Sequence, residues 1–341
     1  MDLGCISKGY FRIRDAVNNK NSSLHERPIL IVGLMRSGTT LLDRVIDAHP
    51  TIKIFYVRTQ FLRKLNGKFD PLDEDNLNKL LSEVANFLHE WGRKTTESEI
   101  TEVKKYVKNH KLNYKTVYLG LAKILLQLSN DERWGEKYDG HGGEIKYFMK
   151  MFPKGQVILI TRDLRDSYAS NKKRTREVLG DDSFSRGDHL MLLDDWKKMT
   201  MYWNEFTTNY GNESHLHITY EELIENPETT TRKICKFLKI DWNEDMINPK
   251  KFIDWDGNQW KSNTSFGTKV TPEIYKNNIN KHRDELSEEE MVLVESFMRK
   301  YTIHDDPHNY KYVTEGSFEN TTHLEEKLKN VVDLWKEARD F

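Results

Sequence analysis

The chain has 341 residues, enough to bury a large α/β core, and carries 53 Lys and Arg against 54 Asp and Glu, a formal net charge of −1. That balance excludes a nucleic-acid-coating protein and an acidic tail, so the basic residues act locally where they act at all. The two cysteines, Cys5 and Cys235, have no metal-ligand spacing and cannot staple a chain of this size, which points to a reducing compartment and to no metal centre.

Residues 1–27 are polar and read as a loosely held arm before a single domain spanning 28–341. The opening MDLGCISKGYFRIRD lacks the charged-then-apolar order of a signal peptide. No run approaches the ~18 apolar residues of a membrane span. The expectation is a soluble cytoplasmic protein that engages neither membrane nor nucleic acid.

Pro28 introduces Ile29–Val32, a short β-branched run bounded by glycine, which reads as a buried strand. Leu41, Leu42, Val45 and Ile46 then recur at helical spacing, with a stop before Pro50, and a β-rich run follows at Ile52–Tyr56. Residues 75–91 place Leu77, Leu80, Leu81, Val84, Phe87 and Leu88 on one helical face. A helix over 115–129 comes next. The strand-like runs Gln156–Thr161 and His215–Thr219 are each followed by a helical pattern. Ser287–Glu290 and Thr322–Glu325 look like capping boxes of the last two helices. Strands alternating with helices predict an α/β fold in three layers, a central parallel sheet with helices on both faces.

The chemistry concentrates in two stretches. In "ILIVGLMRSGTTLL" (29–42) a strand ends in Gly33, four residues intervene, and Gly38-Thr39-Thr40 opens a helix. This is the outline of a P-loop-type phosphate cradle without its lysine. Backbone N–H groups over Arg36, Ser37, Gly38, Thr39 and Thr40 would face an anion at a helix N-terminus, and Arg36 can fork onto its oxygens. In "VILITRDLRDSYASNKKR" (157–174), Arg162 stands where a strand ends, the place where open parallel sheets put their ligand crevice. Ser170 and Arg174 follow one turn apart on the next helix. Together the three can surround a second phosphate. The blander reading pairs Arg162 with Asp163 or Asp166.

These stretches resemble the sulfotransferases that use 3′-phosphoadenosine-5′-phosphosulfate (PAPS) and release the 3′,5′-bisphosphate (PAP). "RSGTTLL" (36–42) resembles the family's 5′-phosphosulfate loop, and "RDLRDSYAS" (162–170) its 3′-phosphate motif. "ITYEELIENPETTTRKICKFLKI" (218–240) is similar to the third signature, in which a tyrosine after a strand lies near the adenine, here Tyr220. "WGEKYDGH" (134–141) resembles the Trp-Gly-(Glu/Asp)-Lys-Thr-Pro-x-His segment of the bacterial and protein-sulfating branches. "KSNTSFG" (261–267) is similar to the loop that closes over the nucleotide. PAPS has no γ-phosphate, so no kinase lysine is needed, and its 3′-phosphate accounts for the second cationic site.

By this resemblance Lys137 and Arg36 would stabilise the leaving oxygen in an in-line transfer to a small-molecule hydroxyl or amine. His141 is the first choice of base, since imidazole titrates near neutrality, with Asp139 and Glu136 as competitors. Its plainer role is that of a histidine capping the next helix. The chain departs from the family pattern twice: Tyr138-Asp139 replaces Thr-Pro, and Arg58 in "VRTQF" stands where related members carry a glutamate. Residues 177–189, with Gly180 and Gly187 as breakers, read as a loop over the acceptor. Its Asp181, Asp182 and Asp188 would suit a cationic natural product such as a guanidinium alkaloid. Phe55, Tyr56, Phe61, Tyr138, Phe148 and Phe184 are candidate pocket aromatics. The rivals are a small-molecule or nucleotide kinase, which would need a lysine in place of Thr39, and a non-catalytic protein that binds the bisphosphate.

Overall fold

The structure is a computed structural model that describes residues 24–55, 58–186, 188–254, 258–260 and 279–303, with Glu326, Lys329, Asn330 and Asp333; of residues 179, 181–186 and 188 only the backbone is described. In chain order its main elements are β1 (Ile29–Gly33), α1 (Thr39–Asp47), β2 (Ile52–Phe55), α2 (Glu74–Glu90), α3 (Glu97–Lys108) and α4 (Tyr114–Leu125). There follow β3 (Arg133–Asp139), α5 (Glu144–Met151), β4 (Gln156–Thr161), α6 (Leu164–Arg186) and α7 (Met191–Asn209). The series closes with β5 (His215–Thr219), α8 (Tyr220–Glu225), α9 (Pro227–Leu238), α10 (His282–Glu285) and α11 (Glu288–Lys300).

All strand pairings are parallel and the sheet order is β2-β3-β1-β4-β5. Alternation along β1 and β4 sends Leu30, Val32, Val157 and Leu159 into one core, with α2, α4, α7 and α11. Ile29, Ile31, Ile158 and Ile160 enter the other, with α1, α8 and α9. Because both faces are covered, these strands are apolar throughout, as parallel strands must be. The expected three-layer α/β fold is what forms. Its topology brings the carboxyl ends of β3, β1 and β4 side by side, at the point where the strand order reverses.

Several boundaries differ from the sequence expectation. The helix expected over 115–129 ends at Leu125, where Leu126 caps it and Gln127 turns with φ +52°. The expected loop at 177–189 is largely helical: α6 runs to Arg186, broken at Gly180 by non-helical torsions. The breaker was correctly placed, but six residues beyond it resume the helix. Residues 24–27 pack onto β3, with Trp134 Nε1 donating to the His25 carbonyl at 2.9 Å and Arg133 to that of Arg27. The capping box at Ser287–Glu290 is present. Tyr56, Gly187, residues 261–267 and the Thr322–Glu325 box lie outside the described residues, as do the side chains of Asp181, Asp182, Phe184 and Asp188.

Strand β3 was not expected, and it is the most unusual of the five because it buries charge. Glu136 is 1% exposed and accepts from the Thr59 N–H (2.6 Å), the Thr59 hydroxyl (2.9 Å) and the Tyr118 hydroxyl. Burial raises its pKa to about 7, although the hydrogen bonds from Tyr118 and Thr59 favour the ionised form. A carboxyl that holds its proton longer when folded costs stability as pH rises from about 4.5 through 7. In Glu136→Gln that dependence is gone. The stability of the variant relative to the parent should therefore rise by roughly 2–3 kcal/mol between about pH 5 and pH 8. Urea unfolding at several pH values measures this, and a flat difference would mean that Glu136 is ionised in the fold.

Candidate active site

The loop between β1 and α1 owes its shape to two backbone requirements. Arg36 and Gly38 both have positive φ, +69° and +96°, so the chain curls into a nest of N–H groups before the first turn of α1. At Gly33 an added Cβ would lie 2.5 Å from the Ile160 carbonyl oxygen, and 2.8 Å from the Ser37 hydroxyl. At Gly38 it would lie 2.4 Å from the Tyr220 ring. Ser37 braces the loop from inside: its N–H and hydroxyl both donate to the Leu34 carbonyl, at 3.1 and 2.7 Å, and lock the curl. Thr39 is 4% exposed beside Gly33, and Thr40 accepts from Lys137 Nζ at 3.1 Å.

The two anion motifs, 120 residues apart in sequence, form one surface. Arg36 Nε donates to the Ser170 hydroxyl at 3.0 Å, and Arg162 Nη1 donates to the Arg36 carbonyl at 3.2 Å. The Arg162 guanidinium lies 4.9 Å from the centre of the Tyr220 ring, whose edge also packs against Gly38, so that ring touches both the glycine loop and the residue that follows β4. Arg162 also sits 3.7 Å from Asp166, the weaker form of the pairing the sequence allowed. Asp163 is taken by Arg165 instead. Burial and the charges of Arg162 and Arg174 hold Arg36 below its ordinary pKa. These cations repel one another across a short distance, and a polyanion seated among them relieves that repulsion.

Sequence reasoning missed a further cation here. Lys281 is held below its usual pKa by burial and by the charges of Arg162 and Lys173. Asp166 fixes this turn to α6: its carboxylate accepts from the Asn280 N–H (2.8 Å), the His282 N–H (2.9 Å) and His282 Nδ1 (2.8 Å). The basic "NKHR" at 280–283 was the available signal, but only the fold shows that it returns to β4.

The end of β3 carries the remaining candidates. Lys137, 5% exposed, faces α1, where it lies near the buried Asp43, whose pKa burial raises to about 6. Glu136 faces the opposite core and is clamped by Thr59 and Tyr118. His141 lies in the turn after β3, its Nδ1 accepting the Gly143 N–H at 3.0 Å just ahead of α5, and its ring 6.1 Å from that of Tyr202. The ring thus braces the turn at the N-cap residue Gly143, while no side chain caps the first turn of α5. Of the candidate aromatics, Phe55, Phe61, Tyr138 and Phe148 are buried in the α2–α7 core.

The comparisons agree with this geometry. The sequence profile described as the sulfotransferase family matches residues 28–244. The chain belongs to the sulfotransferase family. It is 24% identical over 229 residues to protein-tyrosine sulfotransferase A of Caenorhabditis elegans, covering 67% of this chain and 54% of that protein. To protein-tyrosine sulfotransferase 1 of Danio rerio it is 26% identical over 228 residues, 66% of this chain and 56% of that one. The chain thus spans about half the length of the curated relatives it matches. Two solved sulfotransferase domains share the fold. That of the Synechococcus PCC 7002 olefin synthase has a TM-score of 0.52 at 18% identity, over 80% of this chain and 96% of its own. That of the curacin biosynthetic pathway has a TM-score of 0.52 at 16%, over 81% and 98%. Among the described residues of this sulfotransferase, no helix is long and apolar enough to cross a membrane.

Gly38→Ala tests the loop. An alanine at positive φ is strained by about 1–2 kcal/mol, and its methyl must also displace the Tyr220 ring. The loss in urea unfolding should reach about 2 kcal/mol or more. A variant as stable as the parent would show that Tyr220 does not pack on Gly38.

Proposed function

We propose that this protein transfers the sulfuryl group of PAPS to a hydroxyl or amine of a small-molecule acceptor. The observation that carries the reading is the junction Arg36–Ser170–Arg162, which joins the glycine loop to a second cluster of cationic and hydroxyl side chains. The residues present suit the donor. The nest over Arg36–Thr40 takes the 5′-phosphosulfate, and Arg162, Ser170 and Arg174 take the 3′-phosphate. Tyr220 lies at the wall between them. Lys137, held on Thr40, and Arg36 from the loop stabilise charge on the bridging oxygen as its bond to sulfur breaks. The acceptor's proton goes to a group at the end of β3, where Asp139 and His141 lie.

The relatives' names raise a polypeptide tyrosine as acceptor. Against that stands Arg58, in the place of the carboxylate that the protein-sulfating pattern carries. The acidic run around Asp181, Asp182 and Asp188 favours a cationic natural product such as a guanidinium alkaloid. With only two cysteines, too few to staple its length, the chain accords with work in the cytoplasm. A kinase is disfavoured by Thr39, where its lysine would stand.

Calorimetric titration separates these readings. The wild type should bind PAP at least tenfold more tightly than AMP or ATP·Mg²⁺. Arg162→Ala or Ser170→Ala should erase most of the preference over AMP, since each removes a contact to charge worth roughly 1.5–3 kcal/mol. Tighter ATP·Mg²⁺ binding would favour the kinase. PAP binding without turnover of any acceptor would favour a bisphosphate-binding protein, and turnover unaffected by Lys137→Ala would overturn the role given to Lys137.

A further inference from the structure

The two departures from the family pattern meet in space. Arg58 Nη1 donates to Asp139 Oδ1, and Arg63 Nη2 donates to the Asp139 carbonyl at 2.9 Å, so the side chain and backbone of Asp139 are both held from the segment after β2. Arg58 is itself stacked 5.3 Å from the Trp91 ring. A carboxylate is therefore present where Arg58 stands, but it is supplied from the end of the facing strand.

Asp139 is placed for chemistry in a way the other carboxylates are not. It is the last residue of β3, in register with Gly33, where the phosphate loop begins. It follows Lys137 by two, so both side chains leave the same face of the strand. Its side chain is 20% exposed, whereas Glu136 is 1% exposed and faces the other core. We propose that Asp139, positioned by Arg58 at the end of β3, is the group that takes the proton from the acceptor.

This rests on the sulfotransferase reading. The acceptor oxygen or nitrogen forms its bond to sulfur while the bond from sulfur to the bridging oxygen breaks. The electron pair of that bond stays on the 5′-phosphate of PAP beside Lys137. The acceptor's proton passes to the Asp139 carboxylate and from there to water. Burial alone would push the Asp139 pKa up, but Lys137, Arg58 and Arg63 outweigh it and keep the carboxylate ionised. The other charges nearby are Arg36 in the loop, Glu144 on α5, which Arg63 also binds, and Asp195 on α7 beside Gly140. A bound phosphosulfate offsets Lys137 and Arg36, so the carboxylate becomes more basic when the donor is in place.

Binding and turnover of two variants test the proposal. A carboxylate facing the donor repels it. Asp139→Asn should therefore tighten PAPS binding by roughly threefold to tenfold, as expected for one like charge at a partly solvated distance. The same variant should slow PAP release from PAPS, with 2-phenylethanol as a model acceptor whose hydroxyl keeps its proton at working pH, by at least ~100-fold. Arg58→Gln keeps the carboxylate but removes its counter-charge, so PAPS binding should weaken by about twofold to threefold. Asp139→Glu should recover part of the turnover, which a purely structural role for Asp139 would not predict. The opposite signs of the two binding changes set the Asp139 carboxylate beside the donor, and the loss of turnover with the alcohol assigns it the proton. Unchanged or weaker PAPS binding in Asp139→Asn, or turnover within about threefold of wild type, overturns the proposal. Wild-type protein that fails to bind PAP brings down the sulfotransferase reading itself.

Discussion

Like charges must be held together at the carboxyl edge of the sheet, and much of the structure follows from that constraint. Arg36, Arg162, Arg174, Lys281 and Lys137 converge there, and burial, with the nearby charge of Arg162, lowers the basicity of both Arg36 and Lys281. The fold keeps the cluster by giving three of its cations neutral acceptors, while Arg174 lies 3.9 Å from Glu177. Arg36 donates to the Ser170 hydroxyl, Arg162 to a main-chain carbonyl and Lys137 to the Thr40 hydroxyl. Neutral acceptors satisfy the hydrogen-bond requirement and leave the positive potential for an anionic ligand. Asp166 is the carboxylate closest to this scheme, and it is largely occupied by His282 and the turn at 280–282.

Strand β3 connects this edge to the core. Its alternation puts Lys137 and Asp139 on the site face and Trp134, Glu136 and Tyr138 on the other. The buried Glu136 grips Thr59, and the Tyr138 hydroxyl accepts the Leu62 N–H at 3.1 Å. Those contacts fix the segment that presents Arg58 and Arg63 to Asp139. One face of the strand thus positions the partners of the other, and a change at Glu136 is felt at the site through the backbone between Thr59 and Arg58.

What the sequence disclosed follows the same division. β1 and β4 were legible because both of their faces are apolar, and β5 because Leu216, Ile218 and Thr219 mark a short strand-like run despite its two histidines. α1 was legible because Gly38 precedes an amphipathic stretch that stops near Pro50. β3 was not, since Arg133, Glu136 and Lys137 interrupt any apolar run. Their burial depends on Arg27, Leu238 and Gln156 around Arg133, and on Thr59 and Tyr118 around Glu136, all far away in sequence. α3 was passed over although Thr96 and Glu99 form a full capping box, because few residues of that helix are buried. The motif residues Arg36, Arg162, Ser170 and Arg174 could be named from spacing. Lys281 could not, because its place depends on a turn brought back by Asp166.

The carboxylates near the site fall into two classes by environment. Asp43, Glu136 and Glu221 are raised by burial, to about 6, 7 and 7, and serve inside the protein. Asp139 and Asp166 stay below their ordinary values because cations or hydrogen bonds outweigh the same burial. A carboxylate beside a polyanionic donor weakens donor binding unless a cation offsets it. Placing Arg58 on Asp139 supplies that offset without engaging Lys137, which remains on Thr40. An aspartate at the end of β3 paired with an arginine after β2 keeps the same net charge as the reverse arrangement. It moves the negative end nearer to the lysine and turns the positive end toward Trp91 and the outside of the site. Arg58 and Asp139 are equally exposed, 20% each, so both charges of the pair stay within reach of solvent while the Trp91 ring holds the cation in place.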